Sequence, residues 1–258
     1  MTQIAVTKMH GTRNDFVVVD ERNPKISDYS AFARRACDRR SGIGADGVLA
    51  ILRSGAADAR MRVINADGGE AEMCGNGVRC VARYLSEAGS PDRLRIETLA
   101  GIIETQIVSK GLQYAVRVNM GVPDVQARSL PFADSAFVSM GNPHVVIFAA
   151  ALDDVNLHDA ARRLADDPSF AAGTNVHAAV RVNDRRLDVR HYERGVGLTQ
   201  ACGTGAVACA AAAIARGQAV APVDVRVPGG SLEVEWIGAG PSFLTGPAVR
   251  VFDARVPA

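Results

Sequence analysis

Short runs of alternating hydrophobic and polar positions dominate this sequence, which is the pattern of β-strands. Glycine-rich turns separate these runs, and β-branched stretches such as Val17–Val19 strengthen the strand prediction. Two strands around a turn are predicted within 4–19, and further strands at 48–52, 60–64, 94–98, 102–108, 114–118, 138–148, 176–182, 187–192, 223–227, 232–236 and 248–252. Helices are predicted at 29–40, from Cys74 to Gly89, at 153–165 and at 206–215.

Two of the predicted helices differ in how their apolar positions are distributed. The run 206–215 is apolar on every side, so we expect a core helix that is buried on every side. The helix that opens at Cys74 has its apolar residues on one face, while Arg79, Arg83 and Glu87 share another face. This helix is therefore expected to be less enclosed than the second one.

The second half of the chain repeats landmarks of the first half at a nearly constant offset. The pairs, each 128 or 129 residues apart, are Asn14 and Asn142, Gly44 and Gly173, Asn65 and Glu193, and Cys74 and Cys202. Four landmarks in the same register predict a duplicated, two-domain architecture. The Pro-, Asp- and Ala-containing stretch 122–136 is the candidate linker.

Cys74 and Cys202 each stand at the predicted start of a helix. The positive end of a helix lowers the pKa of a thiol and can hold a carboxylate. A buried, inert cysteine is the alternative interpretation of each position. If two such thiols act on one small molecule, one removes a proton from carbon and the other delivers a proton to the opposite face. That reaction needs one thiolate and one thiol, and helix N–H groups would stabilise the enolate-like charge.

Composition excludes several classes of function. The chain has 258 residues, is 48% hydrophobic and carries a net charge of +1, which argues against nucleic acid as its main partner. No apolar run is long enough for a membrane helix and no export signal is recognised, so a cytoplasmic protein is expected. Five cysteines without C-x-x-C or zinc-ligand spacing predict reduced thiols and no metal site.

Five motifs in order resemble the diaminopimelate epimerase family: MHGTRNDF, NADGGEAEMCGNG, GNPH, GTNV and YERGVGLTQACGTGA. The resemblance implies a cofactor-independent, two-cysteine epimerase that interconverts L,L- and meso-diaminopimelate in lysine biosynthesis. It also implies an α/β (α+β) fold of two pseudo-symmetric domains, each a curled, mostly antiparallel sheet around a central helix, with the active site in the interdomain cleft. The implied domains are 1–119, joined by a returning strand at 248–258, and 120–247. A homodimer is the implied assembly.

The resemblance also assigns roles to individual residues. Cys74 and Cys202 resemble the catalytic base and acid. By this resemblance, the backbone donors at the reacting centre would be Gly75, Asn76, Gly203 and Thr204. By the same resemblance, the polar groups that hold the substrate would be Asn14, Asn65, Asn175, Glu193 and Arg194. Asn142 would be a further amide near the reacting end.

Two other functions remain open at this point. One is a related cofactor-independent racemase of another amino acid, such as histidine. The other is a thiol redox protein that uses Cys74 and Cys202 as a reversible disulfide. Cys80 and Cys209 are interpreted as core residues, and Cys37 as a buried or partly exposed residue without a role. His144 is a candidate contact of the site, and His158, His177 and His191 have no predicted role.

Overall fold

The computed structural model describes residues 3–111 and 113–257. Contacts between Cα atoms divide the chain into two compact units. The first unit comprises Met1–Val118 and Gly246–Ala258, and the second comprises Asn119–Thr245. Both units are mixed α/β structures in which strands outnumber helices.

The first unit begins, in its described residues, with eight strands and two α-helices. The strands are β1 (Gln3–Gly11), β2 (Asn14–Asp20), β3 (Gly47–Leu52), β4 (Ala59–Asn65), β5 (Glu70–Ala71), β6 (Arg93–Thr98), β7 (Gly101–Ser109) and β8 (Ala115–Gly121). The helices are α1 (Tyr29–Ala36) and α2 (Gly75–Glu87). Along the chain, β8 leads into the second unit.

The described residues of the second unit form nine strands and two α-helices. The strands are β9 (Asp124–Gln126), β10 (Ser135–Ser139), β11 (Pro143–Phe148), β12 (Asn175–Asn183), β13 (Arg186–Glu193), β14 (Gly197–Thr199), β15 (Val223–Val227), β16 (Gly230–Glu235) and β17 (Ser242–Pro247). The helices are α3 (Leu157–Ala165) and α4 (Gly203–Ala215). The last strand, β18 (Val249–Pro257), belongs to the first unit and pairs antiparallel with β1.

Strand pairing follows the same order in the two units. In the first, β2 is parallel to β3, β3 is antiparallel to β4, and β4 pairs with both β5 and β6. In the second, β11 is parallel to β12, β12 is antiparallel to β13, and β13 pairs with both β14 and β15. Gly44 and Gly173, which precede the equivalent strands β3 and β12, have φ of +76° and +75°. The repeat predicted from the sequence is therefore present in the topology.

Each unit wraps its sheet around one central helix. Helix α2 contacts six strands of the first unit, from β1 to β7, and α4 contacts seven strands of the second, from β9 to β16. A shorter amphipathic helix packs elsewhere on each sheet. Phe32 and Ala33 of α1 enter a core with Val17 and Val48, and α3 enters a separate core in the second unit.

The central helices confirm one expectation and correct another. Residues 205–213 of α4 are all buried, as the apolar run predicts. Helix α2 does have partly exposed residues, including Arg83, but Arg79 is completely buried. The prediction that placed Arg79 on an open face with Arg83 and Glu87 is therefore wrong.

Several predicted boundaries also change. The candidate linker 122–136 contains β9 and the first two residues of β10, and β9 pairs with residues 137–139 of β10. The predicted strand 138–148 divides into β10 and β11, because the chain turns at Gly141 with φ of +88°. Helix α3 starts only at Leu157, because the Asn156 side chain accepts hydrogen bonds from the N–H groups of His158 and Asp159.

No helix in the described ranges has the length and apolarity required to cross a bilayer.

Candidate functional site

Cys74 is the residue that caps the start of α2. Its extended backbone, with φ of −140°, stops the chain from continuing the helix backwards. The Gly77 N–H donates to its Sγ across 3.4 Å, and the thiol can donate to Asn14 Oδ1 across 3.6 Å. Cys74 is half-buried and its sulfur lies at the N-terminal end of α2, where the helix dipole stabilises negative charge.

The orientation of the amide groups beside Cys74 is fixed by their partners. Asn14 donates through Nδ2 to the Asp46 carboxylate at 2.8 Å, so its Oδ1 points to Cys74 and accepts from Asn76 Nδ2 at 3.1 Å. Asn76 accepts through its own Oδ1 from Arg79 at 2.8 Å. Asn14 and Asn76 therefore form one connected group with Cys74.

Arg79 lies beneath this group and has no exposed surface. Its guanidinium donates to Thr12 Oγ1, Asn76 Oδ1 and the carbonyl oxygens of Gly75 and Pro247. Burial lowers the pKa of Arg79 to about 10, and attraction to Cys80 and Cys74 opposes this decrease. Arg79 therefore remains a cation at neutral pH, yet no carboxylate of the described residues pairs with it.

Cys202 caps the start of α4 in the same way, with φ of −122°. The Gly205 N–H donates to its Sγ across 3.4 Å, and the Thr204 hydroxyl lies 3.5 Å from the sulfur. Unlike Cys74, Cys202 is buried, with 5% of its surface exposed. The two cysteines thus share one backbone geometry but differ in access to solvent.

Glu193 makes the surroundings of Cys202 acidic. Burial and the negative charge of Glu193 raise the pKa of the Cys202 thiol well above its ordinary value, while Thr204 and the Gly205 N–H oppose the increase. Burial also raises the pKa of Glu193, although the nearby side chains of Thr199 and Cys202 act in the opposite direction. Cys202 is therefore a thiol at neutral pH, in direct contact with a carboxylate.

Other residues predicted for substrate binding have mainly backbone partners. Asn175 accepts from the Arg194 N–H at 3.0 Å and donates to the Pro143 carbonyl at 3.0 Å. The exposed Arg194 guanidinium donates to the Ala172 carbonyl at 2.8 Å. Asn65 lies exposed at the end of β4, where its backbone groups close a turn with Gly68 and Gly69.

Asn142 is connected to three buried histidines, which we call the histidine row: His144, His177 and His191. Asn142 Oδ1 lies 2.9 Å from His144 Nε2, His144 Nδ1 lies 2.8 Å from His177 Nε2, and His177 Nδ1 lies 2.9 Å from His191 Nδ1. The row packs against the first turn of α4. The contact is so close that a Cβ atom on Gly205 would lie 2.6 Å from the His177 ring.

The structure thus brings together Cys74, Asn14 and Asn76 in one unit, and Cys202, Thr204 and Glu193 in the other. Sequence reasoning did not identify Arg79, Asp46, His177 or His191 as parts of these groups. For the histidines a signal existed, since alternation along β13 places His191 on the same face as the buried Val189 and Leu187.

Solved structures resemble this fold over nearly its whole length. A phenazine biosynthesis protein of the PhzF family from Bacillus anthracis superposes with a TM-score of 0.75 at 18% identity, and each chain is covered completely. A hydroxyproline epimerase from Agrobacterium vitis superposes with a TM-score of 0.69 at 17% identity, over 98% of this chain and 92% of the other. At these identities the similarity shows only that this chain has the same fold as those two proteins.

Sequence comparison is more specific. The model of the diaminopimelate epimerase family matches residues 6–125 and 136–251. The diaminopimelate epimerase of Desulforudis audaxviator is 45% identical, over 96% of this chain and 98% of that protein. The diaminopimelate epimerase of Carboxydothermus hydrogenoformans is 42% identical, over 95% and 96%. The chain belongs to the diaminopimelate epimerase family, and it is an isomerase.

Proposed function

We propose that this protein interconverts L,L- and meso-diaminopimelate without a cofactor, as a step of lysine biosynthesis, and that Cys74 and Cys202 exchange the proton. The observation that carries the proposal is the repeated cap. Each unit places a cysteine sulfur 3.4 Å from an N–H group in the first turn of its central helix. Such a position stabilises a thiolate when one forms.

The two cysteines differ in the way that a base and an acid must differ. Because burial and Glu193 keep Cys202 protonated, Cys202 is the acid in the starting state. Cys74 is then the base, and Asn14 Oδ1 accepts the S–H that Cys74 gains when it removes the α-proton. The C–H electrons pass into the carboxylate as an enolate, and the Cys202 proton goes to the opposite face of the carbon.

Backbone N–H groups of both first turns supply the negative-charge stabilisation that this step requires. We assign Gly75 and Asn76 on α2, and Gly203 and Thr204 on α4, as donors to the substrate carboxylate. A helix start offers several N–H groups without intrahelical acceptors, and these point at the ligand. Donors that are already oriented stabilise the enolate without further rearrangement.

The distal ammonium and carboxylate of the substrate require an acceptor and a cation. Glu193 supplies a carboxylate oxygen, and the exposed Arg194 guanidinium can bind a carboxylate in a bidentate manner. Asn65 and Asn175 complete this proposed set. Since Asn175 also holds the Arg194 backbone at 3.0 Å, its first effect is on the position of that arginine.

The cytoplasmic location and the homodimer are further parts of this proposal. In support of an assembly, the outer strand β18 exposes the apolar side chains of Val251 and Phe252, which a second copy would cover. Light scattering of the purified protein tests the homodimer, which predicts about twice the mass of one chain.

The experiment that tests the function is proton NMR of the reduced protein in D2O with L,L-diaminopimelate and, separately, with L-histidine. We expect the α-proton signal of diaminopimelate to disappear as the meso isomer forms. Exchange with histidine alone would keep the two-base chemistry and replace the substrate. No exchange with either compound, in the presence of a reductant, would refute the proposed activity and favour a redox role for the thiols.

A further inference from the structure

The histidine row has a direction, and the direction follows from hydrogen-bond counting. A neutral imidazole carries one N–H and one bare nitrogen. The three rings are neutral because they are buried, which lowers the pKa of His144 and of His191 to about 3 and lowers the pKa of His177 well below its ordinary value. In a row of neutral rings each nitrogen that accepts forces the other nitrogen to donate, so all three rings must point the same way.

The free end of the row decides between the two possible directions. His191 Nε2 is buried and has no hydrogen-bond partner among the described residues. If the row donated towards His191, this nitrogen would carry an unpaired N–H in the interior. If the row donates towards Asn142, the nitrogen keeps only an unpaired lone pair. Buried N–H groups without an acceptor are rarer than underused acceptors, so the second direction is favoured.

With this direction, the other end of the row acts on the Asn142 amide. His144 Nε2–H donates to Asn142 Oδ1, so the oxygen of the amide is occupied and turned towards the ring. The Asn142 NH2 group, which makes no hydrogen bond within the described part of the chain, is left on the opposite side. Asn142 is half-buried, so this NH2 group remains available to a ligand.

We propose that His177 and His191 are positioning residues that, through His144, hold Asn142 with its NH2 group outward, as a hydrogen-bond donor for a carboxylate of the substrate. The contact with substrate is made by Asn142, and the two histidines act only through its orientation. This inference rests on the proposed function for the identity of the carboxylate, but the direction of the row is a property of the protein itself.

The close packing of the histidine row against α4 prevents its imidazole rings from rotating freely. An ideal Cβ on Gly205 would lie 3.0 Å from His177 Nε2 and 3.0 Å from His191 Nδ1, so both rings occupy the space that this glycine leaves. The rings of His177 and His191 meet edge to face, with centroids 4.8 Å apart. Reversal of the row would therefore require three confined rings to exchange protons together.

The direct test is a long-range 1H–15N correlation spectrum of the wild-type protein labelled with 15N-histidine, recorded at pH 8. We expect the Nε2–H tautomer for His144 and His177 and the Nδ1–H tautomer for His191. The reversed row gives the opposite tautomer at all three positions and would overturn the proposal. Since this measurement needs neither a variant nor a substrate, it remains decisive if the chain has no activity on diaminopimelate.

A pair of substitutions at one position tests the effect on catalysis. Gln places an amide near the Nε2 position of histidine, so His177→Gln keeps the donor to His144 and should change KM less than about threefold. Asn places its amide near Nδ1, so His177→Asn keeps the contact with His191 but removes the donor to His144. We expect His177→Asn to raise KM about tenfold or more with a smaller change in kcat, as for a lost hydrogen bond to a charged group.

A double-mutant cycle separates this role from a merely structural one. In an Asn142→Ala background, His177→Asn should raise KM no further, because the amide that it orients is absent. If His177→Asn raises KM equally in both backgrounds, or if His177→Gln and His177→Asn are equally impaired, His177 does not act through Asn142. Failure of the wild-type enzyme to epimerise diaminopimelate would instead refute the proposed function and leave the tautomer result standing.

Discussion

The starts of α2 and α4 have the same backbone and different surroundings. In both, a cysteine caps the helix and receives the N–H of the residue three positions later at 3.4 Å. Helix α2 itself carries a buried cation, Arg79, close to its cysteine, whereas a row of neutral histidines from three strands packs against α4. The duplicated frame thus provides two equivalent sulfur positions, and the residues packed behind them make the two positions chemically unequal.

The proposed proton transfer needs one thiolate and one thiol, and this difference in surroundings sets which cysteine holds the proton at rest. Two identical sites would hold their protons equally, and neither would be set as base or acid. Here a carboxylate beside Cys202 keeps that thiol protonated, while an amide oxygen and a more distant cation surround Cys74. The asymmetry comes from side chains of a helix and of a strand, since Arg79 belongs to α2 and Glu193 belongs to β13.

The largest expected effect comes from replacing either of the two sulfur atoms. We expect Cys74→Ser and Cys202→Ser each to lower kcat by about 10²–10⁴-fold, because a hydroxyl is a much weaker acid than a thiol. The measurement is the initial rate of epimerisation under reducing conditions. Cys209→Ala, inside α4, is the control and should keep most of the rate. Full activity of either serine variant would refute the two-thiol mechanism.

The histidine row predicts acid sensitivity of the second unit. Its three rings have pKa values below 6.5 when folded, about 3 for two of them, but titrate near 6.5 when unfolded. The unfolded state therefore binds more protons as the pH falls below about 6.5, and the free energy of unfolding should fall by up to about 4 kcal/mol per pH unit. The dependence due to these rings should vanish above about pH 7.5.

The single tryptophan makes this prediction measurable, because Trp236 is buried in the second unit. Urea denaturation followed by its fluorescence at pH 8, 6.5 and 5.5 gives the dependence. Protonation of Glu193, whose pKa burial raises, reduces the slope by at most one proton. A midpoint that stays constant between pH 6.5 and 5.5 would contradict the neutral, buried row.

Arg79 and Arg83 form a matched pair in the first unit. Both donate to backbone carbonyls just before β18, Arg79 to Pro247 and Arg83 to Ala248, but only Arg83 has a carboxylate partner, Glu87. Arg79→Met leaves several buried acceptors without a donor and should cost about 3 kcal/mol, against about 1 kcal/mol for Arg83→Met. Denaturation followed by circular dichroism compares them, and equal losses would show that burial of the cation is unimportant.

The smallest expected effect concerns the two equivalent glycines of the first helical turns. A Cβ on Gly205 meets hydrogen-bonded histidine rings, whereas a Cβ on Gly77 meets Leu49 Cδ2 at 2.8 Å, the end of a side chain that can move. Gly205→Ala should therefore cost about 1–3 kcal/mol, and Gly77→Ala should be nearly neutral, because it gains helix propensity. Urea midpoints of the two variants test this order, and the reverse order would contradict it.

The sequence predicted the parts of the molecule that depend on local pattern. An apolar run of helical length can only lie in a core, so α4 was identified together with the burial of its residues 205–213, whereas Ile214 is half-buried and Ala215 is exposed. The caps were also predictable, because Cys-Gly at the start of each run marks where the helix begins. The constant offset between landmarks predicted the repeat, which the strand pairing confirms.

The missing parts depend on partners that are distant in the chain. A helical projection assigns Arg79 to solvent, but its acceptors come from residues 67 and 168 positions away. The histidine row likewise needs the parallel register of β11 and β12, which no local pattern specifies. The roles of the predicted substrate residues remain predictions, and for Asn175 and Arg194 the structure adds backbone contacts that the motifs did not indicate.

The position of β18 has a consequence for the order of events during synthesis. This strand pairs along almost the whole of β1, although the two stand at opposite ends of the chain. The ribosome releases every residue of the second unit before it releases β18, so the C-terminal unit can fold while the N-terminal unit still lacks a strand and the Pro247 carbonyl that Arg79 needs. The usual order of co-translational folding, from the first domain to the last, is therefore reversed for the final step of this protein.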